Sequence, residues 1–293
     1  MKAIIIPIFL LLFIFCSCTT KPKIKVANND NSLLWRVSKT GFKDAYIFGT
    51  MHMIEAEYYD FTKNMKAMIL NSDAVIMELD GMPNPIQAIL LLKLKTGTLS
   101  DYFTPEEWSK IKQFYEKEFG LSESNFLATY ENFKPFFLFQ SMTQSFFEGE
   151  TESYDMNIMT LANKNKIPII GLETFQEQIG FFDSISKDEM SNIVMESLAS
   201  FEKDKLEFKK LQALYAAQNI SEMMPLMKEQ SPEFMKFEDL FLTNRNKSWI
   251  PKLKTEFESK SCFVAVGAAH LFEKNGLLNL LTQEGFKVTP IHK

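Results

Sequence analysis

Only three histidines and three cysteines occur in 293 residues, and each scarcity narrows the possible chemistry. The cysteines are Cys16, Cys18 and Cys262. Two of them sit at the end of an N-terminal apolar run, so no internal disulfide framework is expected and the folded domain must stand on its core. No Gly-x-Ser-x-Gly motif is present, and Cys262 precedes a glycine-ended turn, so a serine or cysteine nucleophile has no support. Gly-x-Gly-x-x-Gly and Walker-type loops are missing too, which leaves dinucleotides and ATP without a cradle. Basic runs are equally scarce: the net charge is −5 with mixed signs, and the electrostatic footprint of a nucleic-acid binder is absent. No repeat of fixed period emerges.

The apolar run Ala3 to Phe15 follows Lys2 and falls short of the roughly 20 residues a membrane-spanning helix needs. It therefore reads as an export signal. Small Cys16 and Ser17 ahead of Cys18 resemble a bacterial lipobox, implying cleavage before Cys18 and acylation of that residue. Ordinary secretion and an uncleaved anchor stay open as alternatives. The expected organisation is a signal over 1–18, a polar tether over 19–31 and one domain over 32–293. That domain would be held at the cell envelope, periplasmic or outer membrane, through an N-terminal lipid. Cys262, left alone after processing, reads as a small buried strand residue.

What the chain does have is a 46% hydrophobic composition, enough for one large core. Leu33–Val37 and Ala45–Phe48 flank a polar stretch containing Gly41 and predict a hairpin. Further buried strands are expected at Ala74–Asp80, Ile167–Glu173, 261–266 and Phe286–Ile291, separated by segments of helical spacing. Thr104 before Pro105 marks a helix start. Two helical insertions are expected, at about 85–150 and 186–245. The stripe of Phe136, Phe137, Phe139 and Met142 reads as core before groove. The charged run 201–210 reads as a solvated face.

Two of the strand endings match. Tyr46-Ile47-Phe48-Gly49-Thr50-Met51-His52 and Val264-Ala265-Val266-Gly267-Ala268-Ala269-His270 both close on Gly-x-x-His. A glycine permits a sharp turn there, and a histidine three residues on would stand at the carboxyl edge of an α/β sheet, where ligands collect. Glu78 and Glu173 end two other strands. Burying four such groups is costly without a partner, and a divalent cation would supply one. Two imidazoles with one or two carboxylates suit zinc, manganese, iron or cobalt better than calcium or magnesium. The plainer alternative is that Glu78 and Glu173 pair with Arg36, Arg245 or a lysine as structural ion pairs, and that the histidines are hydrogen-bonded loop residues. Asp80 and Asp155 read as solvent-facing or capping groups, and His292 as exposed.

At these residues the chain resembles the TraB/PrgY/GumN family, the wider group that includes the Tiki membrane-associated metalloproteases. The resemblance rests on five blocks in order: LLWRV with YIFGTMH, VIMELD, YDMNIMTLANKNKIPIIGLETFQEQ, TNRNKSWIPKL and VAVGAAHLFEKNGLLNLLTQEGFKV. It implies an α/β fold with a central mixed, largely parallel sheet flanked by helices, shared with erythromycin-esterase-like and ChaN-like proteins. It further implies a catalytic divalent metal, manganese or cobalt before zinc, held by His52, His270 and Glu78, with Gly49 and Gly267 in the turns. Glu173 would assist a water, Arg245 would bind a carboxylate or oxyanion, and Gln176 and Asn246 would line the substrate pocket. The implied activity is that of a metal-dependent hydrolase, in particular a peptidase. The alternative is an envelope protein that sequesters a peptide or small ligand in the same pocket without turnover.

Overall fold

A computed structural model describes residues 31–230 and 236–292. The expected signal, tether and Cys18 acylation site fall on residues outside those described. Among the described residues no helix is long and apolar enough to cross a membrane.

The chain gathers into two compact units. Among the described residues the first comprises 31–82, 149–174, 210–230 and 236–292, and the second Pro83–Glu148 and Phe175–Lys209. The first unit holds a six-stranded sheet built from β1 (Leu34–Ser38), β2 (Ala45–Thr50), β4 (Ala74–Met77), β6 (Ile169–Gly171), β7 (Cys262–Gly267) and β8 (Lys287–Pro290). The short β3 (Ile54–Glu55) and β5 (Thr151–Glu152) pair separately and antiparallel.

The strand order is β6-β4-β7-β2-β1-β8. The four strands β6, β4, β7 and β2 run parallel, while β1 pairs antiparallel with both β2 and β8. This is the expected α/β fold with a mixed, mostly parallel sheet. The predicted hairpin is β1–β2, with Gly41 in the left-handed region at φ +87° where a side chain would be strained.

Parallel strands buried on both faces should read as continuous apolar runs. β4 (AVIM) and β7 (CFVAVG) do, with every residue buried. Their inner side chains Ile76, Val264 and Val266 join Trp249, Leu253 and Phe257 of the helix Asn244–Ser259 in one core cluster. Cys262 belongs to that cluster too, and burial pushes its thiol up to about 12, so it is an inert packing residue.

Register decides where the strand ends fall. Thr50 pairs with Gly267, Met77 with Ala265, and Met77 also with Gly171. The β6 ladder then continues past its last residue, because Leu172 N–H donates to Met77 O and Glu173 N–H to Glu78 O, each at 2.9 Å. His52, Glu78, Glu173 and His270 therefore leave the sheet along one edge.

The second unit is helical. Its helix Pro105–Phe119 starts on a Thr104–Glu107 capping box and ends at Gly120 in the left-handed conformation. Its core packs Ile111, Tyr115, Phe126, Tyr130, Phe137, Leu138 and Met142 together. Phe136, Phe137 and Met142 of the aromatic stripe are buried, so the stripe serves packing.

Candidate functional site

His52 and His270 are each held at Nδ1. His270 stands in the short turn Ala268–His270 after β7 and is 1% exposed. Its Nδ1 lies 2.7 Å from Asn246 Oδ1. Asn246 Nδ2 meanwhile donates to His270 O at 3.3 Å and Asn275 O at 2.8 Å. Both amide hydrogens are thereby committed, so the amide oxygen faces the ring and Nδ1 carries the proton. Nε2 is left as an acceptor, and Arg245 Nη1 donates to it at 3.1 Å. Burial and the Arg245 charge push the His270 pKa well below its ordinary value, so the ring stays neutral.

His52, 7% exposed, is anchored by a carboxylate: Nδ1 lies 2.9 Å from Asp155 Oδ2. Burial alone would lower its pKa, but the charge and hydrogen bond of Asp155, with Glu78 beyond, raise it to about 9. Asp155 corrects the reading of this residue as a solvent-facing or capping group. It sits in the first turn of the helix Tyr154–Lys164, started by the Ser153 side chain accepting from Met156 N–H, and is only 3% exposed. In the sequence it stands two residues after the N-cap Ser153, a place that does not distinguish a buried acid from a capping one. Asp80, by contrast, is exposed as expected.

Between the two rings stands Glu78. Its Oε1 is 3.9 Å from both His52 Nε2 and His270 Nε2 and accepts from Gly267 N–H at 2.9 Å. Its Oε2 accepts from Arg245 Nη2 at 2.6 Å. Burial would raise the Glu78 pKa, yet the Arg245 charge, with His52 and the Gly267 N–H, holds it down to about 2.

Arg245 occupies the first turn of the helix Asn244–Ser259, directly after a π-type turn over Asp239–Thr243, and is 2% exposed. Its five N–H groups are all spent inside the protein. Nε donates to Glu173 Oε2 at 3.0 Å, Nη1 to Phe241 O at 3.0 Å and to His270, and Nη2 to Glu78 and to Glu173 Oε1. The guanidinium also lies 4.8 Å from the centre of the Trp249 ring, one helical turn on, and that indole donates to Glu173 Oε2 at 3.3 Å. Arg245 was expected to bind a carboxylate, and the carboxylates it meets are this chain's own. Glu173, expected to assist a water, turns both oxygens onto Arg245. Asn246, expected to line a substrate pocket, is committed to His270 and Asn275. Gln176 is exposed on the helix Phe175–Asp183, which belongs to the second unit. Of the partners expected for the buried glutamates, Arg245 is the one that meets them, while Arg36 pairs with Asp44 at the surface.

The two glycines hold the site by close approach. Neither has a left-handed backbone, and Gly267 stands directly before the short turn Ala268–His270. A Cβ on Gly49 would meet Leu271 Cδ1 at 2.8 Å and Ala268 Cα at 3.0 Å. One on Gly267 would meet Glu78 Oε1 at 3.3 Å and His52 Nε2 at 3.6 Å, inside the space where the three side chains converge. A cavity beside His52 is lined by Thr50, Met51, Tyr215, Met223, Met227 and Gly267. The Thr50 hydroxyl there is buried without a hydrogen-bond partner, and Tyr215 donates to Gly49 O at 2.7 Å.

The donor set fits a divalent ion in kind. Metal-binding histidines characteristically give their outer N–H to a carboxylate or carbonyl-type oxygen and aim the other nitrogen inward. His52 with Asp155 and His270 with Asn246 follow that pattern, and both inner nitrogens face one Glu78 oxygen. Closure is not complete: among the described residues no three His, Cys, Asp or Glu side chains already form an ion-holding group, and Arg245 engages the His270 lone pair.

Fold and site together define an α/β domain with two Gly-x-x-His strand endings gathered around a buried Glu–Arg–Glu cluster. A family model for the TraB/PrgY/gumN family matches residues 33–290, and the chain belongs to that family. No curated protein and no solved structure matches the chain.

Proposed function

We propose that this protein is a divalent-metal-dependent hydrolase of the cell envelope, acting on peptide bonds. The observation that carries the reading is the convergence of His52 Nε2 and His270 Nε2 on Glu78 Oε1, each at 3.9 Å, with each ring pinned from behind. His52, His270 and Glu78 would hold the ion, manganese or cobalt before zinc. An ion bound there would act as a Lewis acid on a carbonyl oxygen and make a neutral-pH nucleophile of water.

The chain's own residues set the stage for that chemistry. Asp155 and Asn246 orient the rings. Arg245 keeps Glu78 ionised, hence able to ligate at neutral pH, while Glu173 and Trp249 fix the guanidinium. Gly267 leaves the centre free of side-chain atoms.

A second reading has its own observation. Arg245 saturates Glu173 and caps His270 Nε2, so no carboxylate of the cluster is left as an evident general base. That favours a pocket which sequesters a peptide or small ligand without turnover. Elemental analysis of the purified protein, after stripping and reloading with manganese, cobalt or zinc, decides between metal and no metal. A bound ion lost in His52→Ala and His270→Ala supports the first reading, and absence of both ion uptake and thermal shift rejects it. A peptide library cleaved by the wild type but not by Glu78→Gln establishes turnover, and saturable binding without products establishes sequestration.

A further inference from the structure

The short helix Pro85–Leu92 in the second unit is apolar on the wrong side. Its sequence, PIQAILLL, contains one polar residue. Ala88 and Leu92 face inward at 0% and 4% exposure, as packing requires. Ile86, Ile89 and Leu90 face out, exposed by 71%, 43% and 64%. Fraying does not account for this. The helix opens on a firm cap, with Asn84 Oδ1 accepting from Ile86 N–H at 3.0 Å and Gln87 N–H at 3.3 Å, and Pro85 in its first turn. Contiguous aliphatic side chains left in water mark an interaction surface.

We propose that this helix is a membrane-contact element that lays Ile86, Ile89 and Leu90 into an anionic lipid surface. Two further observations select lipid as the occupant. Lys93 and Lys95 are exposed immediately after the helix, placing positive charge beside the aliphatic strip. A second copy of this chain docking there would bring those lysines against their own kind, whereas anionic headgroups complement them. The chain outside the described residues also carries the apolar run Ala3–Phe15, and the proposal rests on the reading of that run as the signal of an envelope protein. At 8 residues the helix spans about 12 Å, against the roughly 30 Å of a hydrocarbon core, so it lies in the interface plane.

The test uses the full chain reconstituted into vesicles of brominated phosphatidylcholine with phosphatidylglycerol. Ile86→Trp reports on the strip, and Leu206→Trp, at a residue 75% exposed elsewhere on the second unit, is the control. Bromine should quench and blue-shift the tryptophan at 86 and leave that at 206 unaffected. Replacing phosphatidylglycerol by phosphatidylcholine, or adding Lys95→Glu, should weaken contact by about fivefold per lost charge contact. Absent quenching at 86, equal quenching at both positions, or quenching indifferent to lipid charge would overturn the proposal. So would a blue shift without quenching that grows with protein concentration, which would assign the strip to a second copy.

Discussion

Removing the guanidinium of Arg245 tests the electrostatic core of the site most directly. Arg245→Met keeps the volume of the side chain and leaves Glu78 and Glu173 buried at 5% and 8% exposure without their common cation. Breaking a buried ion pair from one side costs about 3–5 kcal/mol. The Glu78 pKa falls from 4.5 to about 2 against the burial that would raise it, with Arg245 the largest of the influences that lower it. That depression is worth roughly 3 kcal/mol at neutral pH. The stability it contributes is fully present above the ordinary carboxylate pKa and disappears as pH falls through about 2. Urea unfolding in the presence of a chelator, at pH 7 and at pH 4, is the assay. Arg245→Met should lose about 4 kcal/mol at pH 7, seen thermally as a drop of roughly 10 °C for a domain of this size. The deficit should shrink at pH 4, where the orphaned carboxylates take up protons. The triple variant Arg245→Met, Glu78→Gln, Glu173→Gln should recover most of the loss, since the cost lies in unpaired charge and not in volume. A single variant within about 1 kcal/mol of wild type, as for a surface ion pair, would refute the reasoning. So would a triple variant no more stable than the single one.

Asp155→Asn should return the His52 pKa from about 9 toward or below its ordinary value, read by titrating the imidazole resonances of the metal-free protein. In the wild type the same raised pKa means that the contribution of His52 to stability is complete below about 6.5 and is lost as pH rises through about 9. Unfolding of metal-free protein between pH 6 and 10 should follow that window, and Asp155→Asn should flatten it. Gly267→Ala places a methyl group among Glu78, His52 and His270 and should weaken ion uptake by at least about tenfold, measured by competition with a metal indicator. Gly49→Ala drives its Cβ into Leu271 and Ala268 and should cost about 1–3 kcal/mol by overpacking. Tyr215→Phe removes the hydrogen bond to Gly49 O and should cost about 1 kcal/mol in the same denaturant assay.

The strands were legible because β4 and β7 are buried on both faces and so carry uninterrupted apolar runs, a pattern that composition along the chain exposes. Register followed from the endings: once His52, Glu78, Glu173 and His270 each close a strand, parallel pairing brings them to one edge. The partner of the glutamates was harder to read. Arg245 lies 72 residues after Glu173, and nothing local separates a surface arginine from one whose helix packs over the sheet edge. Asp155 was misread because an acid in the first turn of a helix usually has a sufficient local reason to be there. Its second role depends on which face of the helix Tyr154–Lys164 meets β2, and that is a tertiary fact. The close approach of Leu271 to Gly49 and of Glu78 to Gly267 leaves no mark on the sequence beyond the missing side chain itself.

One carboxylate links the two halves of the site. Glu78 turns Oε2 to Arg245 and Oε1 to the Gly267 N–H and the imidazoles, so the pairing that stabilises the fold also keeps the other oxygen anionic. A glutamate buried this deeply would otherwise protonate near neutral pH and lose its power to ligate. The structural ion pair and the candidate ligand set are therefore not rival explanations of the same residues. The first is the condition for the second, and Arg245→Met should abolish ion uptake at neutral pH even at temperatures where the variant remains folded. Retention of full metal affinity by a folded Arg245→Met protein would separate the two halves and leave the guanidinium a purely structural group.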